Sequence, residues 1–303
     1  MHSSPTISLL IPVFNGEKYI IEFCEHLKNQ ELKFDEVIFY NDGSTDNSLS
    51  LLKKSGYKYF SSAFNKGVGF ARNVLARASN SNYIHFHDVD DKFDKSFIYE
   101  INKAITGTKA DVIFGNSDWV DENSKKVVIE WRYNQAKLAE DPTNYFLSNP
   151  LGIINTVYNK NAFLNINGFN ERLHCWEDAD IHIRLAIAGN TFAHINCTIA
   201  ISIRHNKGLS NDQIWCWDCR LNFLETYIRD YNKYLNMSVV ESEIKKVQNV
   251  FIKSGNFYKL QKILSLKKVY QLHIRTEKIY ALYLLNKLIP SKLLLILIKR
   301  IKI

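Results

Sequence analysis

Over roughly the first 115 residues, short apolar runs alternate with segments of helical periodicity, and this restricts the fold more than any other feature of the 303-residue chain. Residues 7–14 (ISLLIPVF) are almost uninterruptedly apolar, as in a strand covered on both faces. A helical pattern follows over 18–29, with Ile20, Ile21, Phe23, Cys24 and Leu27 on its apolar side. Further strands are predicted at 36–40, 57–60, 83–87 and 111–115, with helices near 46–54, 67–79 and 97–105. Strands and helices taking turns at this spacing form βαβ units, so the predicted fold is α/β, a mostly parallel sheet flanked by helices. The second half is less regular: a strand at 155–158, a turn at 167–170, a helix over 177–188 stopped by Gly189, and two β-rich pieces at 191–195 and 198–204. From Gln213 onward the chain reads as helical. The expected division is a catalytic domain over 1–212, with halves at about 1–115 and 116–212, and a helical region over 213–303.

In open α/β sheets, function gathers outside the carboxyl ends of the strands. Asn15 and Glu17 follow the first strand there, Asp42 the second, and Asp88-Val89-Asp90-Asp91 the fourth. Three carboxylates in four residues repel one another unless a cation neutralises them. An extended backbone would put Asp88 and Asp90 on one side, within reach of one hard metal ion. A solvated acidic turn leading to a cap at Asp94 is the alternative. Glu177 and Asp178 fall at a helix N-terminus, where carboxylates are favoured, and Asp178 is either a general base or a cap. Asp180 and Arg184, four residues apart, suit a structural ion pair. Arg72 is either a contact to a bound ligand or a helix-surface charge. Of His85 and His87, one is expected to face the site and the other to pack; His174, just before the acidic pair, is a further candidate contact, and Trp176 is either a stacking platform or core packing. Gly67-x-Gly69 is no dinucleotide fingerprint, since it lacks the third glycine and does not follow the first strand.

Charge is distributed unevenly. From Ile244 to the end there are 14 Lys or Arg and one acid, Glu277, whereas the rest of the chain is net negative. The final segment carries aliphatic runs at 279–285 and 293–298, broken by Lys287, Pro290 and Lys292 and closed by Lys299, Arg300 and Lys302. Neither run reaches the ~18–20 apolar residues of a membrane span. Apolar runs rimmed by cations fit a helix lying on an anionic membrane surface through 279–303, with packing on protein or a homodimer contact as the alternative. No nucleic-acid reader motif is present, and no nucleic acid is expected as a partner. Five scattered cysteines and an opening without a basic, apolar leader point to a reduced, cytoplasmic protein, peripheral on the inner face of the membrane. The lone Cys216-x-x-Cys219 has no partner pair and suits buried thiols better than zinc.

The order of motifs resembles that of a family 2 glycosyltransferase with a GT-A type, Rossmann-like fold, over about residues 6–210. Pro12-Val13-Phe14-Asn15 resembles the start of the family's nucleotide-sugar pocket, and Asn41-Asp42-Gly43-Ser44 its acidic-glycine-serine loop, in which Asp42 would contact the base; Asn41 departs from the usual acid. Asn65–Asn73 is similar to the segment that brings an arginine, here Arg72, to the donor. Asp88-Val89-Asp90-Asp91 resembles the DxD motif, and Trp176-Glu177-Asp178 the acidic pair holding the base. His205 resembles a late histidine that completes the metal site. The resemblance implies Pro12, Phe14, Asn15, Glu17, Asp42, Arg72, Asp88 and Val89 as donor-binding residues. It also implies Asp90, Asp88 and His205 as ligands of Mn2+ or Mg2+, with Asp178 as base and Glu177 beside it. The reaction implied is inverting transfer from a UDP-sugar to a glycan or lipid-linked acceptor in surface-polysaccharide synthesis. A sugar-nucleotide nucleotidyltransferase would want a Gly-rich basic loop after the first strand, where Asn15-Gly16-Glu17-Lys18 stands instead. An aspartyl phosphatase would carry its DxD on the first strand. An inactive, membrane-attached scaffold would not need the candidate metal and base positions filled.

Overall fold

The computed structural model describes residues 5–205, 212–275 and 277–301, with side chains through Ile298. Asn206 and the side chains of Lys299, Arg300 and Lys302 lie outside the described residues. The chain forms two compact units, Met1–Gly208 and Leu209–Ile303.

In the first unit, β1 (Ile7–Val13), β2 (Glu36–Asp42), β3 (Lys58–Ser62) and β4 (Tyr83–Phe86) are parallel, connected by α1 (Glu17–Lys28), α2 (Ser48–Ser55) and α3 (Val68–Ala78). The apolar run of β1 is buried on both faces as expected. Ile7, Leu9, Ile11 and Val13 enter one core with Ile20, Phe23 and Leu27 of α1, while Leu10 enters another with Ala71 and Leu75 of α3. The remaining elements are β5 (Lys92–Phe93), α4 (Phe97–Thr108), β6 (Val112–Asp121), β7 (Val127–Trp131), α5 (Gln135–Glu140), α6 (Pro142–Ser148), β8 (Thr156–Asn159), α7 (Lys160–Asn165), α8 (Glu177–Ile187) and β9 (Phe192–Arg204). The strand order is β3-β2-β1-β4-β8-β6-β9-β5, with β7 as a hairpin partner of β6.

Three features refine the expectation. β6 does not lie beside β4; β8 runs antiparallel between them, because Val157 and Tyr158 fill the two cores on opposite faces of that gap. The two β-rich pieces near the end are one strand, β9, interrupted by bulges. Gly115 pairs with Ile195 but Asn116 with Thr198, leaving Asn196 and Cys197 over. A Cβ on Gly115 would come within 2.7 Å of Ile199 Cγ1, so only glycine fits. Finally β5, too short to announce itself in the sequence, pairs antiparallel with β9 and straps the loop after β4 to it.

His85 and His87 correct an expectation: both are wholly buried and neither faces the crevice. Residues two apart on a strand share a face. His85 Nδ1 lies 2.8 Å from the Thr156 carbonyl and its Nε2 lies 3.2 Å from His87 Nδ1, among Phe23, Phe34, Phe93 and Phe97. Burial lowers the His85 pKa to about 4.

The second unit contains α9 (Gln213–Tyr231), α10 (Met237–Lys253), α11 (Leu260–Tyr270), α12 (Glu277–Leu288) and α13 (Ser291–Ile301). Asp212 and Asn236 cap α9 and α10 by accepting the Trp215 and Ser238 N–H groups. Between these helices Arg220 and Glu243 form a buried ion pair at 3.1 Å, both side chains about 95% or more shielded. Cys216 and Cys219 are half-buried thiols on α9. Ile279 and Leu282 of α12, and Leu294 and Ile298 of α13, are buried, whereas Leu284, Leu285, Leu288, Leu293, Ile296 and Leu297 are exposed. No helix among the described residues is long and apolar enough to cross a membrane.

Two stability predictions follow from these buried polar groups. Glu243→Ala strands a buried guanidinium and is expected to cost about 3–5 kcal/mol, read from urea unfolding followed by circular dichroism. A loss below about 1 kcal/mol would show that the pair is not desolvated. His182 of α8 is wholly buried, accepting the Tyr158 O–H at 2.8 Å through Nε2 and donating from Nδ1 to the Asp178 carbonyl at 2.6 Å. Burial lowers its pKa from 6.5 to about 3. Between those values the unfolded chain holds a proton on this ring that the folded chain does not, so the neutral ring's contribution is lost as pH falls. From pH 6.5 toward 4 the wild type should lose stability relative to His182→Gln, approaching about 1.4 kcal/mol per pH unit. Parallel pH profiles would contradict this.

Candidate active site

The loops after β1 and β2 are laced together. Asn15, in a left-handed conformation (φ 51°), receives the Thr45 N–H on Oδ1 at 2.8 Å and donates its own N–H to Ser44 Oγ at 3.0 Å. Glu17 donates its N–H to Asp46 at 3.1 Å and accepts the Asn47 N–H at 2.7 Å. Asp42 is buried, with its two oxygens accepting the Lys66 and Gly67 N–H groups at 2.9 Å each. It thereby fixes the entry to α3. Asn15, Glu17 and Asp42, expected at the donor, are in this arrangement occupied in shaping the crevice. Gly43 (φ 68°) has no room for a side chain, since a Cβ would sit 2.4 Å from the Phe64 backbone. Pro12 is half-buried on β1, and the Phe14 ring beyond it is 51% exposed, an apolar face open to a planar ligand.

The acidic motif is not extended. The Asp91 N–H donates to the Asp88 carbonyl at 3.1 Å, closing a turn that sends the three carboxylates in different directions. Asp88 is held by Arg72 Nη2 at 2.9 and 3.3 Å from its two oxygens. Asp91 is buried and accepts the Ile203 N–H at 2.7 Å and the Ser202 hydroxyl at 3.3 Å, so it pins the end of β9. Burial and the neighbouring charges of Asp90 and Asp88 push its carboxyl well above the usual range. Asp90 is pushed up by burial and by Asp88, and its Oδ2 lies 3.2 Å from His205 Nε2. Val89 packs toward Gly16, where a Cβ would stand 3.1 Å from Val89 Cγ1, so the motif touches the loop after β1.

Arg72 connects the motif to the second acidic pair. Its guanidinium is buried, bonding Asp88 on one side and Glu177 Oε1 at 3.1 Å on the other, over the Phe169 ring. Burial opposes its charge, but the two carboxylates outweigh that and raise its pKa. The surface-charge reading of Arg72 is thereby excluded. Trp176 adopts a left-handed conformation (φ 68°) ahead of α8, turning Glu177 and Asp178 into its first turn. Asp178 Oδ1 accepts the Ala179 N–H of the first turn at 2.7 Å. Asp180 and Arg184 form the expected ion pair at 2.7 Å, and Arg184 also donates to the Ile166 and Gly168 carbonyls.

A divalent cation is suited by part of the expected ligand set. Asp90 carries a charge that its surroundings disfavour, His205 lies against it, and a cavity of about 30 Å³ whose polar lining is Asp90, Asp91, Glu22, His26, Tyr19 and Lys92 opens beside it. Asp88, the third expected ligand, is held by Arg72 and is not among the residues lining that cavity. Among the described residues no group of three His, Cys, Asp or Glu side chains stands in metal-holding arrangement. An ion would thus rest on Asp90 and His205, with remaining positions left to ligand oxygens or water. Glu122 and Lys18, which no motif announced, belong here too: Glu122 lies 2.9 Å from His205 Nδ1 and 2.8 Å from Lys18 Nζ.

The chain is 25% identical over 253 residues to chondroitin synthase from Escherichia coli, a stretch that makes up 80% of this chain but only 34% of the synthase. Its fold is similar to that of Staphylococcus aureus TarS in complex with UDP-GlcNAc, with a TM-score of 0.62 at 18% identity over 88% of this chain and 78% of that one. It is also similar to the mannosyltransferase PcManGT from Pyrobaculum calidifontis in complex with GDP-Man and Mn2+, with a TM-score of 0.60 at 10% identity over 98% and 87% of the two chains. The model of glycosyl transferase family 2 matches residues 8–167, a span that holds the laced loops, Arg72 and the acidic turn, and the chain belongs to that family.

Proposed function

We propose that this protein transfers a sugar, with inversion, from a nucleotide diphosphate sugar of the UDP class to a glycan or lipid-linked acceptor in cell-surface polysaccharide synthesis. The observation that carries this reading is Arg72, which ties Asp88 of the acidic turn to Glu177 beside Asp178. It sets a diphosphate-facing turn and a candidate base on the two sides of one crevice. UDP-GlcNAc and GDP-Man in the structural neighbours support a nucleotide-sugar donor, and Mn2+ in one of them supports a divalent ion.

The Phe14 face and the laced loops around Asn15, Glu17 and Asp42 receive the nucleotide. Asp90 and His205 hold Mn2+ or Mg2+, which when bound neutralises charge on the diphosphate leaving group. Asp178 accepts the proton of the acceptor hydroxyl as its oxygen bonds to the anomeric carbon and the bond to the β-phosphate oxygen breaks. Glu177, fixed by Arg72, positions hydroxyls of the donor or acceptor. The tail supplies location: Ile279, Leu282, Leu294 and Ile298 are buried, and other apolar side chains of α12 and α13 are exposed. The exposed side chains, with Lys278, Lys287 and Lys292, lie on the anionic inner face of the cytoplasmic membrane.

Purified protein with Mn2+ and a panel of nucleotide sugars is expected to release nucleotide from a UDP-sugar. Asp178→Asn should lower kcat by about 10²–10⁴-fold with UDP affinity unchanged, as removal of a general base requires. Asp90→Ala should abolish the dependence of turnover on Mn2+. Full turnover in both variants, or no release from any donor, would overturn the reading in favour of an inactive scaffold. For the tail, the exposed-residue variant Leu288→Ser/Leu293→Ser/Leu297→Ser should lose co-sedimentation with vesicles containing phosphatidylglycerol while keeping nucleotide release. Undiminished vesicle binding would remove the membrane assignment.

A further inference from the structure

The second unit holds a polar recess that the glycosyl transfer site does not use. It measures about 740 Å³ and lies between α10 and the segment that runs from α11 into α12. Gln271, in a left-handed conformation (φ 53°), ends α11. In the connector after it Leu272 and Ile274 are buried while His273 and Arg275 are exposed, an alternation that turns the two basic side chains outward, where they line the recess. Ser238, Ser242, Lys245 and Gln248 recur every three or four residues, which places them on one face of α10, and they line it too. The first turn of α12 adds Lys278. Among the described residues, the ion pairs of this unit engage Arg220, Arg229, Lys246, Lys259 and Lys262, and none engages Lys245, Arg275 or Lys278.

Of the two carboxylates in the lining, Glu241 accepts the His273 N–H, and Glu277 stands in the first turn of α12, where open N–H groups offset its charge. Three cations without carboxylate partners on one recess favour an anion. Gln248 adds a second requirement: its Oε1 is buried and meets no donor among the described residues. An acceptor so placed is costly until a donor reaches it. A phosphate ester whose alcohol keeps a hydroxyl answers both, since its phosphate oxygens accept from Lys245, Arg275 and Lys278 and its hydroxyl donates to Gln248. Beyond the recess α12 exposes Tyr280, Leu284, Leu285 and Leu288, so apolar surface begins where the cations end. We propose that the recess binds the glycerophosphate headgroup of a membrane lipid, whose acyl chains lie along the exposed side chains of α12. This site rests on the membrane assignment proposed above for the source of the phosphate, and gives a diffuse attraction one defined point of contact.

The test uses the full chain. Titration calorimetry with dihexanoylphosphatidylglycerol, kept below its micelle concentration, is expected to show one saturable site per chain. Lys245→Gln/Arg275→Gln should weaken it by about tenfold or more. Lys253→Gln/Lys268→Gln, which removes the same charge from exposed positions outside the recess, should leave it unchanged. In co-sedimentation, vesicles containing phosphatidylglycerol should bind about 2–10-fold more tightly than vesicles containing phosphatidylmethanol, which has the same charge and no hydroxyl, and Gln248→Leu should abolish that difference. Absence of saturable binding, or equal weakening in the two double variants, would overturn the site. Free glycerol 3-phosphate binding as tightly as the short-chain lipid would overturn the lipid as its source. Failure of the membrane assignment looks different: the wild type would bind neither kind of vesicle, and the short-chain lipid would still decide whether the recess is a headgroup site.

Discussion

A guanidinium buried among aromatic and aliphatic side chains is tolerable only when anions surround it. Arg72 meets that requirement with Asp88, sixteen residues further along the chain, and Glu177, a hundred and five residues away. Neither carboxylate is supplied by the helix that carries the arginine. The crevice is therefore completed by tertiary assembly: α3 delivers the cation, the turn after β4 one anion, and the start of α8 the other. Because each group is costly without the others, local loosening of α8 would strand a charge, which couples the acidic pair to the acidic turn mechanically.

The three aspartates of the turn show how environment divides one motif into separate tasks. Asp88 is neutralised by a fixed cation, Asp91 is buried as an acceptor for β9, and Asp90 stands beside an imidazole at a small cavity with its charge disfavoured by burial and by Asp88. A mobile counter-ion is useful only at the third. This separation depends on the turn, since an extended segment would have aimed Asp88 and Asp90 in the same direction.

Much of the nucleotide-side half was legible because its signals are local. Continuous apolar strands and 3.6-residue periodicity located β1 to β4 and their helices within a residue or two. What was missed is non-local. The insertion of β8 between β4 and β6 is decided by which side chains fill two cores. The pairing of Lys18 with Glu122 spans 104 residues, and no spacing rule connects them. The roles of Asn15, Glu17 and Asp42 were blurred for a related reason: a polar residue at a strand end looks the same in sequence whether it binds a ligand or a neighbouring loop. The histidines of β4 were a different kind of error, since period-two geometry already places His85 and His87 on one face.

The bulges of β9 have a consequence for the site that neither β6 nor β9 reveals alone. Val112 pairs with Phe192, an offset of 80, whereas Asp121 pairs with Arg204, an offset of 83. Three extra residues are an odd number, and in a strand an odd slip exchanges the two faces relative to the partner. The residues after the bulges therefore point opposite to where an unbroken ladder would send them. Ser202 and Ile203 come to meet Asp91, and His205 leaves the strand between Asp90 and Glu122. The room for this rearrangement is created at Gly115, the position where a side chain would collide with Ile199. Gly115 thus leaves the space that the bulged stretch around Cys197 and Ile199 occupies.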